Sequence, residues 1–155
     1  MKQTLTIAYQ EYASLEALPE QDRALMQAAI RAADTAYSPY SHFCVGAAVL
    51  LADGTIVPGS NQENIAYPSG LCAERTAMFA ASAQHPDQPF VSLAIVGRPA
   101  DGALTAASPC GACRQVMSEY ENRSGRPLRV LLYWNEDRVL AFDGVASLLP
   151  FSFTF

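Results

Sequence analysis

Two short clusters, Cys72-Ala73-Glu74 and Pro109-Cys110-Gly111-Ala112-Cys113, limit this chain more than any other feature. Thiols this far apart in sequence act together only if the fold brings them to one point. Three sulfurs suit a single tetrahedral zinc ion. Three protein ligands also leave its fourth position open, which distinguishes a catalytic zinc from a structural one. At the first turn of a helix, side chains three apart share a face, so Cys110 and Cys113 can converge on one ion. Free backbone N–H groups and the helix dipole favour thiolates there. Cys72 opens a helical segment of its own. Two helix N-termini pointing at one zinc would favour three deprotonated ligands.

Three thiolates on one divalent zinc leave the site net negative, which opposes activation of a water. Donors to the sulfurs would offset this, and Arg75 stands at the right place in sequence; otherwise it is a solvated arginine on a helix surface. Two other uses of the cysteines remain. A redox Cys-x-x-Cys needs only the pair and gives no role to Cys72 or Glu74. A closed structural site needs a fourth ligand, but Cys44 sits alone and reads as a small buried hydrophobe. His42 and His85 fall in no ligand pattern. At about 100° per residue, positions 72 and 74 face opposite sides of a helix. One ion reaches both regions only from beyond the helix end, which leaves Glu74 beside the open position and not on the metal. The alternative for Glu74 is a first-turn acid favourable to the dipole.

The 155 residues suffice for one domain, 1–155, with a real core, and 50% are hydrophobic. The start shows no apolar signal-peptide region, and no stretch reaches the roughly 20 apolar residues of a membrane span. Cytoplasmic localisation is the expectation. The net charge of −5, with ten scattered basic residues, favours a small substrate over nucleic acid or membrane. Helical spacing runs over residues 20–36, with Pro19 suited to the start. A strand candidate at 45–51 turns at Asp53-Gly54 into a partner at 55–60. Residues 72–83 favour helix, 91–96 a buried strand and 113–122 helix. Strands follow at 128–133 and 138–142, with a short helix near 145–149. Such an order implies α/β architecture, a mixed sheet covered by helices on its faces.

The stretches Tyr37-Ser38-Pro39-Tyr40-Ser41-His42-Phe43, Val45-Gly46-Ala47-Ala48, Asn61-Gln62-Glu63-Asn64, Cys72-Ala73-Glu74-Arg75-Thr76-Ala77 and Pro109-Cys110-Gly111-Ala112-Cys113-Arg114-Gln115 resemble cytidine deaminases of the short, homotetrameric kind. The cysteine–glutamate pattern is that of zinc-dependent deaminases generally. The resemblance implies a three-layer α/β/α sandwich around a mixed five-stranded sheet. It also implies one Zn²⁺ per subunit on Cys72, Cys110 and Cys113, with Glu74 as acid–base residue. Asn61 and Glu63, two apart and on one face if extended, would hold the ribose; taken alone they are equally a polar turn. Phe43 would stack on the base, although by itself an aromatic there reads as core. Tyr67 would line the site, and Ala73 would offer its backbone N–H to the base carbonyl. The tail Phe151-Ser152-Phe153-Thr154-Phe155 alternates aromatics, as an extended segment docking on the body would. By resemblance, Phe153 after Leu148-Leu149-Pro150 would reach a neighbouring subunit's site. Gln62, Ile65, Ala66 and Ser69 depart from the usual family residues, away from the ligands.

The function this implies is hydrolysis of cytidine and 2′-deoxycytidine to the uridines with release of ammonia, in pyrimidine salvage. Glu74 would serve as base and then acid. Rival readings are a deaminase for another aminopyrimidine such as blasticidin S, a zinc-stabilised binding module without turnover, and an editor of single strands. The charge balance counts against the last.

Overall fold

Alternation along the central strands decides which helix covers which face. In a computed structural model of the protein, which describes residues 1–154, nine elements matter here. They are β1 (Gln10–Tyr12), α1 (Glu20–Ala32), β2 (Phe43–Leu51), β3 (Ile56–Ser60), α2 (Ala73–Gln84), β4 (Phe90–Pro99), α3 (Gly111–Ser124), β5 (Arg129–Tyr133) and β6 (Val139–Phe142). Ala47, Val49, Leu51, Leu93, Ile95, Val130 and Leu132 join Ala77, Met78 and Met117 of α2 and α3 in one core. Their alternates Ala48, Leu50, Ala94, Val96, Leu131 and Tyr133 pack with Leu25, Met26 and Ala29 of α1 in the other. The period of two thus places α1 on one face of the sheet and α2 with α3 on the opposite face.

The strand order is β1-β6-β5-β4-β2-β3. Only β4 and β5 run parallel, joined through α3; every other neighbouring pair is antiparallel. The Asp53-Gly54 turn closes the β2–β3 hairpin, with Gly54 at φ 89°. The sheet has six strands, not the five expected. The additional one, β1, pairs antiparallel with β6 through Gln10↔Ala141 to Tyr12↔Val139. Of its three residues only Tyr12 is partly buried, packed against the α1-side core, and Gln10 and Glu11 are exposed, so no alternation announced it.

Smaller departures concern ends. Helix α1 stops at Ala32 and continues as a 3-10 turn, Ala33–Thr35. The helix expected near 145–149 is a single 3-10 turn, Val145–Ser147. In the tail, residues 151–154 form no strand; Phe155 lies outside the described residues. Helix α2 lies so close to β3 that a Cβ on Gly59 would stand 2.4 Å from the Ala77 nitrogen. That contact sets the level of the α2 N-terminus, where Cys72 begins the candidate site.

Candidate active site

Cys72 is the N-cap of α2 and Cys110 the N-cap of α3, and the two helix starts face each other. The sulfurs of Cys72 and Cys110 lie 3.9 Å apart and those of Cys110 and Cys113 3.4 Å. All three fall within 4.8 Å of one another. Zinc–sulfur bonds of ~2.3 Å at tetrahedral angles require S···S separations of about 3.8 Å, so the trio fits a zinc ion. Cys113 is fully buried behind the pair, while Cys110 is exposed at the cleft mouth.

The electrostatics of the trio are unequal. A hydrogen bond from Cys113, aided by Arg75 and Cys110, brings the Cys72 thiol down to about 5 against an opposing desolvation. The same bond to Cys72, together with burial, pushes the Cys113 thiol up. Arg75 Nη2 donates to Cys72 Sγ at 3.6 Å, and the Cys113 backbone N–H reaches Cys110 Sγ at 3.5 Å. Helix N-terminus and guanidinium thus supply positive potential to the sulfurs. Arg75 Nε is buried with no partner among the described residues.

Glu74 is only 4% exposed, and burial raises its carboxyl, with the Cys72 charge adding to the effect. Its side chain lines the same cleft as Cys72 and Cys110, a cavity of about 750 Å³. A buried carboxyl held toward neutrality at the wall of a cleft is suited to exchange protons near neutral pH.

The cleft is also walled by Phe43, Asn61, Glu63 and Tyr67, and Ala73, next to Cys72 in sequence, lines it too. Asn61 Oδ1 accepts from the Val45 N–H at 2.8 Å, and its Nδ2 donates to the Phe43 carbonyl at 2.9 Å. Glu63 accepts from the backbone N–H groups of Tyr40 and Ser41 and from the Ser41 hydroxyl. The Ser41 hydroxyl also holds the Glu63 carboxyl below its ordinary range. Both residues therefore tie the 37–45 segment to the 61–64 segment. The Phe43 ring lies against Gly97, where a Cβ would stand 2.7 Å from the ring. Tyr67 is 73% exposed and meets Tyr40 edge to face at 5.9 Å.

The structure does not bring Phe153 into this chain's own cleft. It is 70% exposed, and its backbone makes a reciprocal pair with the Gln115 side chain, at 3.0 and 3.1 Å. Sequence reasoning missed Ser41, Gly97, Ala107 and Ser108, which line or shape the cleft. Ser41 lies within the Tyr37–Phe43 stretch, but nothing in its spacing points to Glu63.

The model for the cytidine and deoxycytidylate deaminase zinc-binding region matches residues 19–124, which include both cysteine clusters. The chain belongs to the cytidine and deoxycytidylate deaminase family. The cytidine deaminase of Sporosarcina psychrophila is 50% identical over 94 residues, 61% of this chain and 65% of its own length. That of Halalkalibacterium halodurans is 46% identical over 95 residues, 61% of this chain and 68% of its own. The crystal structure of the Burkholderia pseudomallei cytidine deaminase superposes with a TM-score of 0.72 at 41% identity, over 84% of this chain and 97% of that one. The Mycobacterium tuberculosis enzyme gives 0.67 at 34% identity, over 85% and 96%. Strand β1 precedes residue 19, where the family match begins. The family is one of hydrolytic deaminases, so the chain is an enzyme of that class, and the Cys72, Cys110 and Cys113 cluster fits the zinc-binding region that the family model describes.

Proposed function

We propose that the protein hydrolyses cytidine and 2′-deoxycytidine to uridine and 2′-deoxyuridine, releasing ammonia, as one catalytic domain of pyrimidine salvage in the cytoplasm. The observation that carries this reading is the convergence of three cysteine sulfurs and a buried carboxyl, Glu74, on one cleft. Bound zinc would supply Lewis acidity, making a water nucleophilic near neutral pH. Glu74 takes the proton from the attacking water and delivers it to N3 of the pyrimidine as oxygen adds to C4. It then carries the second proton to the exocyclic amino group, so that the C4–N bond breaks and ammonia leaves. One carboxyl acts as base and then acid.

The remaining residues hold the nucleoside. Phe43 offers its ring to the base and Ala73 its backbone N–H to the base carbonyl, while Tyr67 lines the wall. Asn61 and Glu63 take the ribose. Their existing bonds leave one N–H and one lone pair of the Asn61 amide and further acceptor capacity on Glu63, already fixed in place. Among the described residues, the cleft lining contains one cation, Arg75, turned toward Cys72, which favours a nucleoside over its 5′-phosphate. Phe153 would complete a neighbouring subunit's site in a homotetramer. Its exposure, with that of Phe151 at 92% and Ile65 at 83%, supports an assembly that covers them.

The test is loss of cytidine's ultraviolet absorbance by zinc-loaded protein, beside deoxycytidine, deoxycytidylate, cytosine and blasticidin S. Rapid loss confined to the two nucleosides supports the reading. Turnover of blasticidin S or the nucleotide alone, or of none, removes it.

A further inference from the structure

Cys110 is an exposed ligand at the open end of α3, and its position depends on the residues that lead into it. Residues 106–110 lie in no helix or strand. One turn into α3, Arg114 gives its guanidinium to that segment. Its Nε donates to the Pro109 carbonyl at 2.8 Å and its Nη2 to Ser108 Oγ at 3.1 Å, while Nη1 reaches the Leu148 carbonyl at 2.7 Å. The peptide before Cys110 is thereby fastened both to the helix that carries Cys113 and to the C-terminal segment. A planar fork of donors serves three acceptors at once, which an ammonium on a flexible stem cannot do.

We infer that Arg114 is a positioning residue for zinc ligation, setting Cys110 against Cys113 by clamping Ser108, Pro109 and Leu148 together. It differs from Arg75, which acts on the sulfur itself: Arg114 neither lines the cleft nor bonds a thiol. The inference rests on the zinc site described above, and its effect is on metal affinity before it is on turnover.

The same helix provides a control. Arg123 makes bonds of the same kind, to Ser82 Oγ and the Pro86 carbonyl, each at 2.8 Å, several turns from the cysteines. Zinc affinity by chelator competition, and the absorption spectrum of the cobalt-substituted protein, would be compared for wild type, Arg114→Met and Arg123→Met. Removing an outer-shell partner of a metal ligand typically costs 10–100-fold in affinity. Arg114→Met should lose about that much and shift the cobalt spectrum, whereas Arg123→Met keeps both at wild-type values even if it melts earlier. Arg114→Lys and Ser108→Ala should fall between, and they stand in if Arg114→Met does not fold. Arg114→Met, or its stand-ins, binding zinc within about two-fold of wild type with an unchanged spectrum overturns the proposal. So does an equal loss in Arg123→Met, since the effect would then be general instability. A wild-type protein that holds no zinc overturns the zinc site itself, and the proposal with it.

Discussion

The two ends of the cleft are built by different means. At the metal end, Cys72 and Cys110 cap two helices whose first turns bury Ala73 and Cys113 in the core and Glu74 at the cleft wall. At the proposed nucleoside end, Phe43, Asn61, Glu63 and Tyr67 come from the start of a strand and from the irregular segment after β3, with Tyr40 and Tyr67 facing solvent. Groups that must hold an ion within tenths of an ångström sit on helices that the core already fixes. The proposed recognition groups belong to neither core cluster, and Asn61 and Glu63 tie their segments through their own side chains. Asn61 and Glu63 join the two segments that form the wall, which makes them structural and available to a ligand together.

This contrast can be broken or sharpened by experiment. The largest expected effect is from Glu74→Gln, which should keep zinc and lower kcat by roughly 10²–10⁴-fold. Metal analysis beside the ammonia assay checks both halves, and a variant retaining more than about a tenth of the rate would falsify the assignment. Next, removing zinc should lower the melting temperature and speed hydrogen exchange in residues 72–76 and 110–114, leaving 43–45 and 61–64 near their holo rates. Ligand binding to the folded state stabilises by about 2.7 kcal/mol at a hundred times Kd, so the melting shift should be readily measured. Uniform acceleration would show that the two ends are not independent.

Asn61→Ala should raise KM with little change in zinc content. It should also cost about 1–3 kcal/mol of stability, because the Val45 N–H and Phe43 carbonyl lose their partner. Steady-state kinetics with urea unfolding separate these effects; a KM change at unaltered stability would mean the backbone ties are idle. The smallest effect concerns acid. The Ser41 hydroxyl holds Glu63 below its ordinary 4.5. A depressed folded-state pKa contributes stability above that value, and the contribution disappears as pH falls through the folded pKa. Glu63→Gln should therefore flatten the acid side of the stability curve as pH falls through and below 4.5, read from urea midpoints.

Much of the metal end was legible because its signals are local. Helix starts at Cys72 and Cys110 follow from nearby propensity and from the spacing of the cysteines, and both appear within a few residues of where the pattern put them. The hairpin at Asp53-Gly54 and the strands at β4, β5 and β6 were visible for the same reason. Strand β1 was not. Gln10-Glu11-Tyr12 has no apolar alternation, and its existence depends on an edge offered by residues 139–141, near the other end of the chain.

The sequence by itself determined the ligand chemistry, the α/β class and the family, since these reside in residue types, short spacings and periodicity. Tertiary structure alone decided that Asn61 spends half of its amide on Phe43 and Val45, that Gly97 gives the Phe43 ring its place, and that Arg114 ties the Cys110 approach to Leu148. It also placed Phe153 outside its own chain's cleft. Each of these is a contact between residues distant in sequence, and no local propensity encodes a partner that only the closed sheet and its packed helices bring within hydrogen-bond reach.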